Sequence, residues 1–246
     1  ARFKRLGHEN VYMPMFIPES LLQKEKEVVG MYLSNHPLEK FRFEIENFTG
    51  CQLSDLSAKI EECGASEKSA KLYIAGIVSD QKTISTKSGS PGVKMVLEDF
   101  SGVYEFALFG KDYEAFLPFT QLRSQIFIEG EICPRYRVSP EDKAKGKKAP
   151  YGFRFKSISL LGNVGESLIT SFRMHLDSSL ITPGFRKQLI KTIKAHKGKS
   201  PLHILLTDKP TGYRIEFNSK KYCVHVSNEF ILELKKLGIG YSITKK

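Results

Sequence analysis

Hydrophobic and polar positions change their period along this chain, and the changes mark three blocks. Met13-Pro14-Met15-Phe16-Ile17-Pro18 holds two prolines in six residues, so the first nineteen residues are read as irregular. From Ser20 to Leu33 the spacing predicts a helix: Leu22, Val29 and Leu33 share one face, and Glu25, Lys26 and Glu27 lie mostly on the other. Ser20 and Gln23 have capping-box spacing, and Ser34-Asn35-His36-Pro37 stops the helix. A second helical stretch is expected over Leu38–Asn47, with Phe41, Ile45 and Phe48 near helical spacing, and a short third over Leu53–Glu62.

From Lys71 the period falls toward two. Leu72–Ile84 is β-branched and long for one strand, and Thr86–Gly92 is a turn-rich loop. Val93–Leu97 reads as a second strand, Glu98–Gly102 as a tight connection, and Tyr104–Phe109 as a third strand. Lys111–Phe119 reads as a short helix. Ser124–Ile132 and Tyr151–Leu161 are two further strands, separated by the polar loop Arg135–Pro150. Three strands, a helix, then two strands is the arrangement of an OB-fold, a five-stranded Greek-key barrel, although the spacing also fits other small barrels.

The last block alternates again. Ser167–Leu176 is strand-like. Thr182-Pro183 opens a helix with an N-cap and a proline at its first position, and Phe185, Leu189, Ile190 and Ile193 form its apolar stripe. Leu202–Leu206, Tyr213–Phe217 and Tyr222–Val226 read as strands. Ser227 caps a helix through Leu237 that ends at Gly238, and Tyr241–Thr244 is a last strand. The expected architecture is α+β and multidomain: a helical segment over 1–70, a five-stranded OB-fold barrel over 71–162, and a small α+β domain over 163–246.

Length changes this picture little, because 246 residues suit more than one domain. No apolar run approaches the roughly 18 residues of a membrane span, no charged-then-apolar leader opens the chain, and the start at Ala1 suggests a fragment or a processed end. Cys51, Cys63, Cys133 and Cys223 contain no C-x-x-C pair, so reduced thiols in a cytoplasmic protein are expected. Charge changes the picture more. The net charge is +11, distributed as −2 over residues 1–70 (9 basic, 11 acidic), +4 over 71–162 (14 and 10) and +9 over 163–246 (15 and 6). A basic excess confined to the second and third blocks points to a polyanionic partner, nucleic acid first.

Catalytic patterns are absent. There is no H-E-x-x-H and no Asp-x-Asp. Cys223-x-His225 with His203 is a weak metal signal on positions that alternate with apolar residues, which favours buried or half-buried structural roles. Gly198-Lys199-Ser200 resembles the end of a phosphate-binding loop, but Ile193 stands where the first glycine is required, and the helix and strand come in the wrong order. Glu98-Asp99 reads as a turn-forming pair. No cofactor or metal is implied.

Binding features are stronger. An OB-fold offers nucleic acid the face of its second and third strands, flanked by the loops between strands one and two and between four and five. Lys82 and Lys87 border the first loop. Arg135, Arg137, Lys143, Lys145, Lys147, Lys148, Arg154 and Lys156 lie on the second loop and its flanks, opposed only by Glu141 and Asp142. Lys94 points away from Val93 and Met95, and Glu105 sets an outward phase that includes Phe109. Cations release counterions from phosphates and an exposed aromatic ring stacks a base; the alternative is a ring that closes the barrel end and a solvated lysine tip. On the third block's helix Arg186, Lys187, Lys191 and Lys194, with Lys197 and Lys199 beyond, meet no acid, which suits either a solvated face or a dock for an acidic protein.

Glu25-Lys26-Glu27-Val28-Val29-Gly30-Met31-Tyr32-Leu33-Ser34-Asn35-His36-Pro37-Leu38 resembles the region that follows the catalytic core in the alpha subunit of bacterial DNA polymerase III. The resemblance continues at Ala75-Gly76-Ile77-Val78, Thr86-Lys87-x-Gly89, Leu97–Gly102 and Glu105–Phe109, covers 20–162 well and 163–246 more loosely, and leaves 1–19 unplaced. It implies an OB domain that binds single-stranded template. Lys82 and Lys87 match basic positions of the family's first loop, and Ser88 stands where some members carry another cation. It also implies a C-terminal domain that contacts the tau subunit of the clamp loader, and metal-binding aspartates that lie outside this sequence. Met13-Pro14-Met15-Phe16 is a poor copy of the family's sliding-clamp motif. The expected function is therefore the non-catalytic C-terminal part of a replicative polymerase; an RNA- or tRNA-binding barrel and a pure protein adaptor are the alternatives.

Overall fold

A computed structural model describes residue 28 and residues 36–86, 89–139 and 148–246. The helix expected over Ser20–Leu33 and the proline-rich start therefore lie outside the described residues, apart from Val28. The chain separates into two units between Glu39 and Lys40, and the architecture below is that of the second, Lys40–Lys246.

The second unit begins with α1 (Arg42–Phe48) and α2 (Leu56–Ser66), joined through a 3-10 turn at Leu53–Asp55. The stretch expected as one helix over Leu38–Asn47 is divided: Glu39–Phe41 is a 3-10 turn and only Arg42 onward is α-helical. Five strands follow: β1 (Ala70–Ser85), β2 (Pro91–Glu98), β3 (Val103–Phe109), β4 (Gln125–Pro134) and β5 (Tyr151–Leu160), with helix α3 (Gly110–Phe116) between β3 and β4.

The strand order is β3-β2-β1-β4-β5, all antiparallel. Strand β1 serves both halves. Its first half pairs with β4 from Ala70↔Ile132 to Ile77↔Gln125, and its second half pairs with β2 from Asp80↔Val96 to Ser85↔Pro91. A bulge between Val78 and Asp80 separates the halves and bends the strand. Strands β3 and β5 share no ladder. Phenylalanines close that seam: the Phe106 ring of β3 lies 5.5 Å from Phe153 and 5.3 Å from Phe155 of β5, and Phe116 of α3 lies 6.0 Å from Phe155. Five strands in this order, with a helix between the third and fourth, form an OB-fold. The core inside it holds Leu72, Ile74, Met95, Leu97, Leu108, Ile126 and Ile128, together with Leu53, Leu56 and Cys63 from the preceding helical stretch. The Asp99 carboxylate does build the tight turn, accepting from the backbone of Ser101 and Gly102, and it also accepts from the Leu53 N–H at 2.9 Å.

The helix α4 (Val164–Leu168) leads into a second sheet of β6 (Ile169–Asp177), β7 (Lys197–Thr207), β8 (Arg214–Val224) and β9 (Gly240–Lys245), in the order β8-β7-β6-β9. The helix α5 (Pro183–Ala195) connects the parallel pair β6 and β7, and α6 (Asn228–Lys236) carries the chain from β8 to β9. Both caps are formed as the sequence predicts: Thr182 accepts from Phe185 N–H, Ser227 accepts from Phe230 N–H, and Gly238 takes a left-handed φ of 72° where α6 ends. The strands expected separately over Tyr213–Phe217 and Tyr222–Val226 are one strand, because two register shifts against β7 absorb the polar residues between them. Phe172, Met174, Leu189, Ile193, Phe230 and Leu234 are buried between this sheet and its helices.

Beside this second core, α1 buries Glu44, only 3 % exposed, with its Oε2 lacking a hydrogen-bond partner among the described residues. Burial pushes its carboxyl up to about 7.

Candidate nucleic-acid interface

Cross-strand register lays out the outward face of β1, β2 and β3 row by row, since paired residues share a face. At the end nearest the first loop, Ile84 pairs with Gly92 and Gly92 with Phe109. The next row is Lys82, Lys94 and Ala107, and the third is Asp80, Val96 and Glu105. The inward rows between them are the buried Val93, Met95, Phe106 and Leu108. Phe109 is 41 % exposed and its ring lies over the Gly92 backbone: a Cβ at position 92 would sit 2.5 Å from the ring. Glycine at 92 is what lets the ring lie there.

The charges on this face differ in strength. Lys94 Nζ is 2.7 Å from Glu105 Oε1, so much of its charge is already met by its own neighbour. Among the described residues no carboxylate lies within ion-pair distance of Lys82. Lys87 lies outside the described residues.

The loop between β4 and β5 begins at the other end of β1, beside Ala70, where Arg135 N–H donates to Pro150 O at 2.9 Å. The Arg135 side chain lies over Gly152, and Arg154 donates to Pro134 O at 3.4 Å. Arg135, Arg137 and Arg154 are exposed, with no carboxylate in reach among the described residues. Lys148 is instead 2.6 Å from Glu67, whose hydrogen bond holds the ammonium above its ordinary pKa, and Lys156 is 3.1 Å from Glu131. Lys143, Lys145 and Lys147 lie outside the described residues.

In the second sheet, Arg186, Lys187, Lys191 and Lys194 all project from α5 into solvent, with no carboxylate in ion-pair reach among the described residues. The residues weighed as a metal signal are dispersed in role. His203 contacts Asn218 and Glu216, and His225 faces Glu166. Cys223 is exposed rather than buried or half-buried, because the long β8 stands at the sheet edge and turns that side chain outward. The four cysteines are unpaired. No helix among the described residues is long and apolar enough to cross a membrane.

Sequence relatives place the chain. The DNA polymerase III alpha subunit of Haemophilus influenzae is 25% identical over 232 residues, which is 93% of this chain and 18% of that protein. The alpha subunit of Pseudomonas aeruginosa is 24% identical over 196 residues, 80% of this chain and 15% of that protein. The chain matches a partial region of the DNA polymerase III alpha subunit. It spans less than a fifth of the length of these two relatives. A separate short match of 29 residues, 12% of this chain and 6% of that protein, is 82% identical to the proline–tRNA ligase of Clostridium novyi. No protein-family model matches the chain. Among solved structures, the mitochondrial single-stranded DNA binding protein Rim1 of S. cerevisiae aligns at 14% identity over 37% of this chain and 95% of that one, with a TM-score of 0.26.

Within the region that matches these relatives the structure adds one residue the sequence reading passed over. Tyr136 stands between Arg135 and Arg137, 57 % exposed. The signal was an aromatic inside a basic loop, the interleaving that suits unpaired bases. It was masked by the lysine run downstream, which dominated the charge pattern.

Proposed function

We propose that this chain is a non-catalytic part of a DNA polymerase III alpha subunit, with residues 71–162 holding single-stranded template and residues 163–246 docking the tau subunit of the clamp loader. One observation carries the first part: on the outward barrel face the exposed Phe109 ring lies over Gly92, one row from Lys82, a cation without a carboxylate in reach among the described residues. A ring held this way offers a π-face to an unpaired base, a contact worth about 1–3 kcal/mol. The lysine beside it meets the phosphate, and binding releases counterions. Arg135, Tyr136, Arg137 and Arg154 extend the same chemistry to the far end of β1. Lys94 contributes less, because Glu105 already faces it. Lys87, Lys143, Lys145, Lys147 and Lys148 add cations to the two loops, Lys148 with its charge shared by Glu67.

The second part is supported by the match to alpha subunits and by the cations Arg186, Lys187, Lys191 and Lys194 on α5, which meet no carboxylate among the described residues. The sliding clamp is a weaker partner proposal, since Met13–Phe16 copies its motif poorly. The barrel proposal is tested by titrating labelled oligo-dT at several salt concentrations. Saturable, salt-sensitive binding that weakens when Lys82 and Phe109 are replaced supports it. Equal binding by the variants, or preferential binding of RNA of the same sequence, refutes the template assignment.

A further inference from the structure

Strand β8 stands at one end of its sheet, and its apolar side is unfinished. Rows of side chains run across the sheet on the face its helices cover: Met174, Ile204 and Phe217 form one, Leu176, Leu206 and Ile215 the next. The β6 members are buried, whereas Phe217 is 48 % exposed, Ile215 52 % and Tyr213 74 %. Each row therefore ends in solvent, beside an edge that no other strand pairs among the described residues. Edge strands are ordinarily blunted by charge. Lys220 and Lys221 do this for the second half of β8. In the first half Glu216, tied to Arg173 at 2.8 Å, and the exposed Arg214 alternate onto the opposite face, so the side carrying Tyr213, Ile215 and Phe217 is left apolar.

Topology sets a cationic stripe beside that edge. Helix α5 leaves the end of β6 and delivers the chain to the start of β7, so it runs antiparallel to both and parallel to β8, next to which it packs. Its start lies at the Arg214 end of β8, where Ser178 donates to Asp208 and Asp177 pairs with Lys209 across the neighbouring turns. Leu180 and Ile181, both exposed, add apolar surface at the same end. The nearby acids are engaged: Glu166 with Lys199, Asp177 with Lys209, Glu216 with Arg173 and Glu233 with His196.

We propose that the first half of β8 captures an extended acidic segment of a partner protein by strand addition, its alternate apolar side chains completing the Ile215 and Phe217 rows and its carboxylates meeting the α5 cations. This deepens, and rests on, the reading of residues 163–246 as a protein-docking block. Strand addition supplies main-chain hydrogen bonds and leaves alternate side chains to set specificity. A second copy of this chain is disfavoured as the occupant, because residues 163–246 carry a net +9 and two such blocks repel. A peptide is favoured over nucleic acid because the open side of β8 is a main-chain edge, which another polypeptide strand can pair with and a base or phosphate cannot match.

The probe is a labelled peptide of alternating Glu and Val, titrated by anisotropy into the full 246-residue chain. Saturable binding is expected that an alternating Lys-Val peptide does not show, and that Ile215→Ser with Phe217→Ser weakens at least about five-fold while oligo-dT binding stays unchanged. Methylating the peptide's amides along one edge removes donors without touching charge or side chains, and must abolish binding in one of the two registers. Equal binding by both methylated peptides overturns strand addition and requires no protein variant. Displacement of the peptide by oligo-dT, or dimers that dissociate on dilution and exclude the peptide, overturns the choice of occupant. Capture by a tau subunit separates the two levels: capture without peptide binding overturns only the strand mode, whereas failure of both overturns the docking reading as well.

Discussion

The two sheets of this chain meet the same difficulty, a strand with an open side, and resolve it differently. In the barrel, β3 and β5 share no ladder, but Phe106, Phe153 and Phe155 fill the seam, and Phe106 and Phe155 are buried there. In the second sheet, Ile215 and Phe217 end their rows in solvent. On the proposed reading the barrel binds through a face, where ring and cation stand clear of the core. The second sheet is suited to bind through an edge, where the core itself is incomplete. A closed seam makes its aromatics structural, and an open one leaves them available.

That contrast is sharpest in stability. Phe106→Ala removes the ring at the centre of the seam and is expected to cost about 3–5 kcal/mol, read from the denaturant midpoint. A loss no larger than a surface substitution shows would mean the seam is not what closes the barrel.

The next effect belongs to the second sheet's side of the molecule. Burial pushes the Glu44 carboxyl up to about 7, from an ordinary carboxyl value of 4.5. The folded state therefore binds the proton more tightly. Stability is fully present below the unfolded pKa and falls as pH rises through the folded one. Glu44→Gln is expected to remove this loss, raising stability at pH 8 by about 2–3 kcal/mol and flattening the profile between roughly pH 5 and 7. Parallel pH profiles for wild type and variant would show that the carboxyl is not titrating there.

On the binding side, Arg135→Ser with Arg137→Ser is expected to weaken oligo-dT by about ten-fold and to reduce the salt slope by about 1.4, two phosphate contacts' worth for a single strand. Lys94→Ser should change it by less than about two-fold, since Glu105 already meets that charge. Equal effects from the two variants would mean that internal pairing does not grade these cations. The smallest effect is expected from Phe217→Ser alone, within about 0.5 kcal/mol of wild-type stability, because the ring is already half in water. A large loss there would make β8 as structural as the barrel seam.

Much of the fold was legible because strand phase is local. The alternation in Tyr104–Phe109 assigned inward and outward positions that the burial of Phe106 and Leu108 matches, and the Thr182 and Ser227 caps followed from a few residues each. What was not legible depends on partners distant in sequence. Nothing local in Arg214–Val224 says that two short strands are one, since the register shifts that join them are set by β7. Nothing near Lys94 or Lys148 announces Glu105 or Glu67, which strand pairing and helix placement bring in. The sequence therefore counted cations correctly and could not grade them. Tyr136 was visible as a residue, but its exposure is a property of the loop's anchoring at Arg135 and Pro150.

Asp99 carries one further consequence. Its carboxylate grips the β2–β3 turn and the Leu53 amide together, while Leu53, Leu56 and Cys63 sit inside the barrel core. The stretch from Leu53 to Cys63 is thus a plug threaded into the barrel from outside its own strands. Anyone excising this module for expression would do better to cut near Lys40 than at Lys71, where the saw passes between the cask and its stopper.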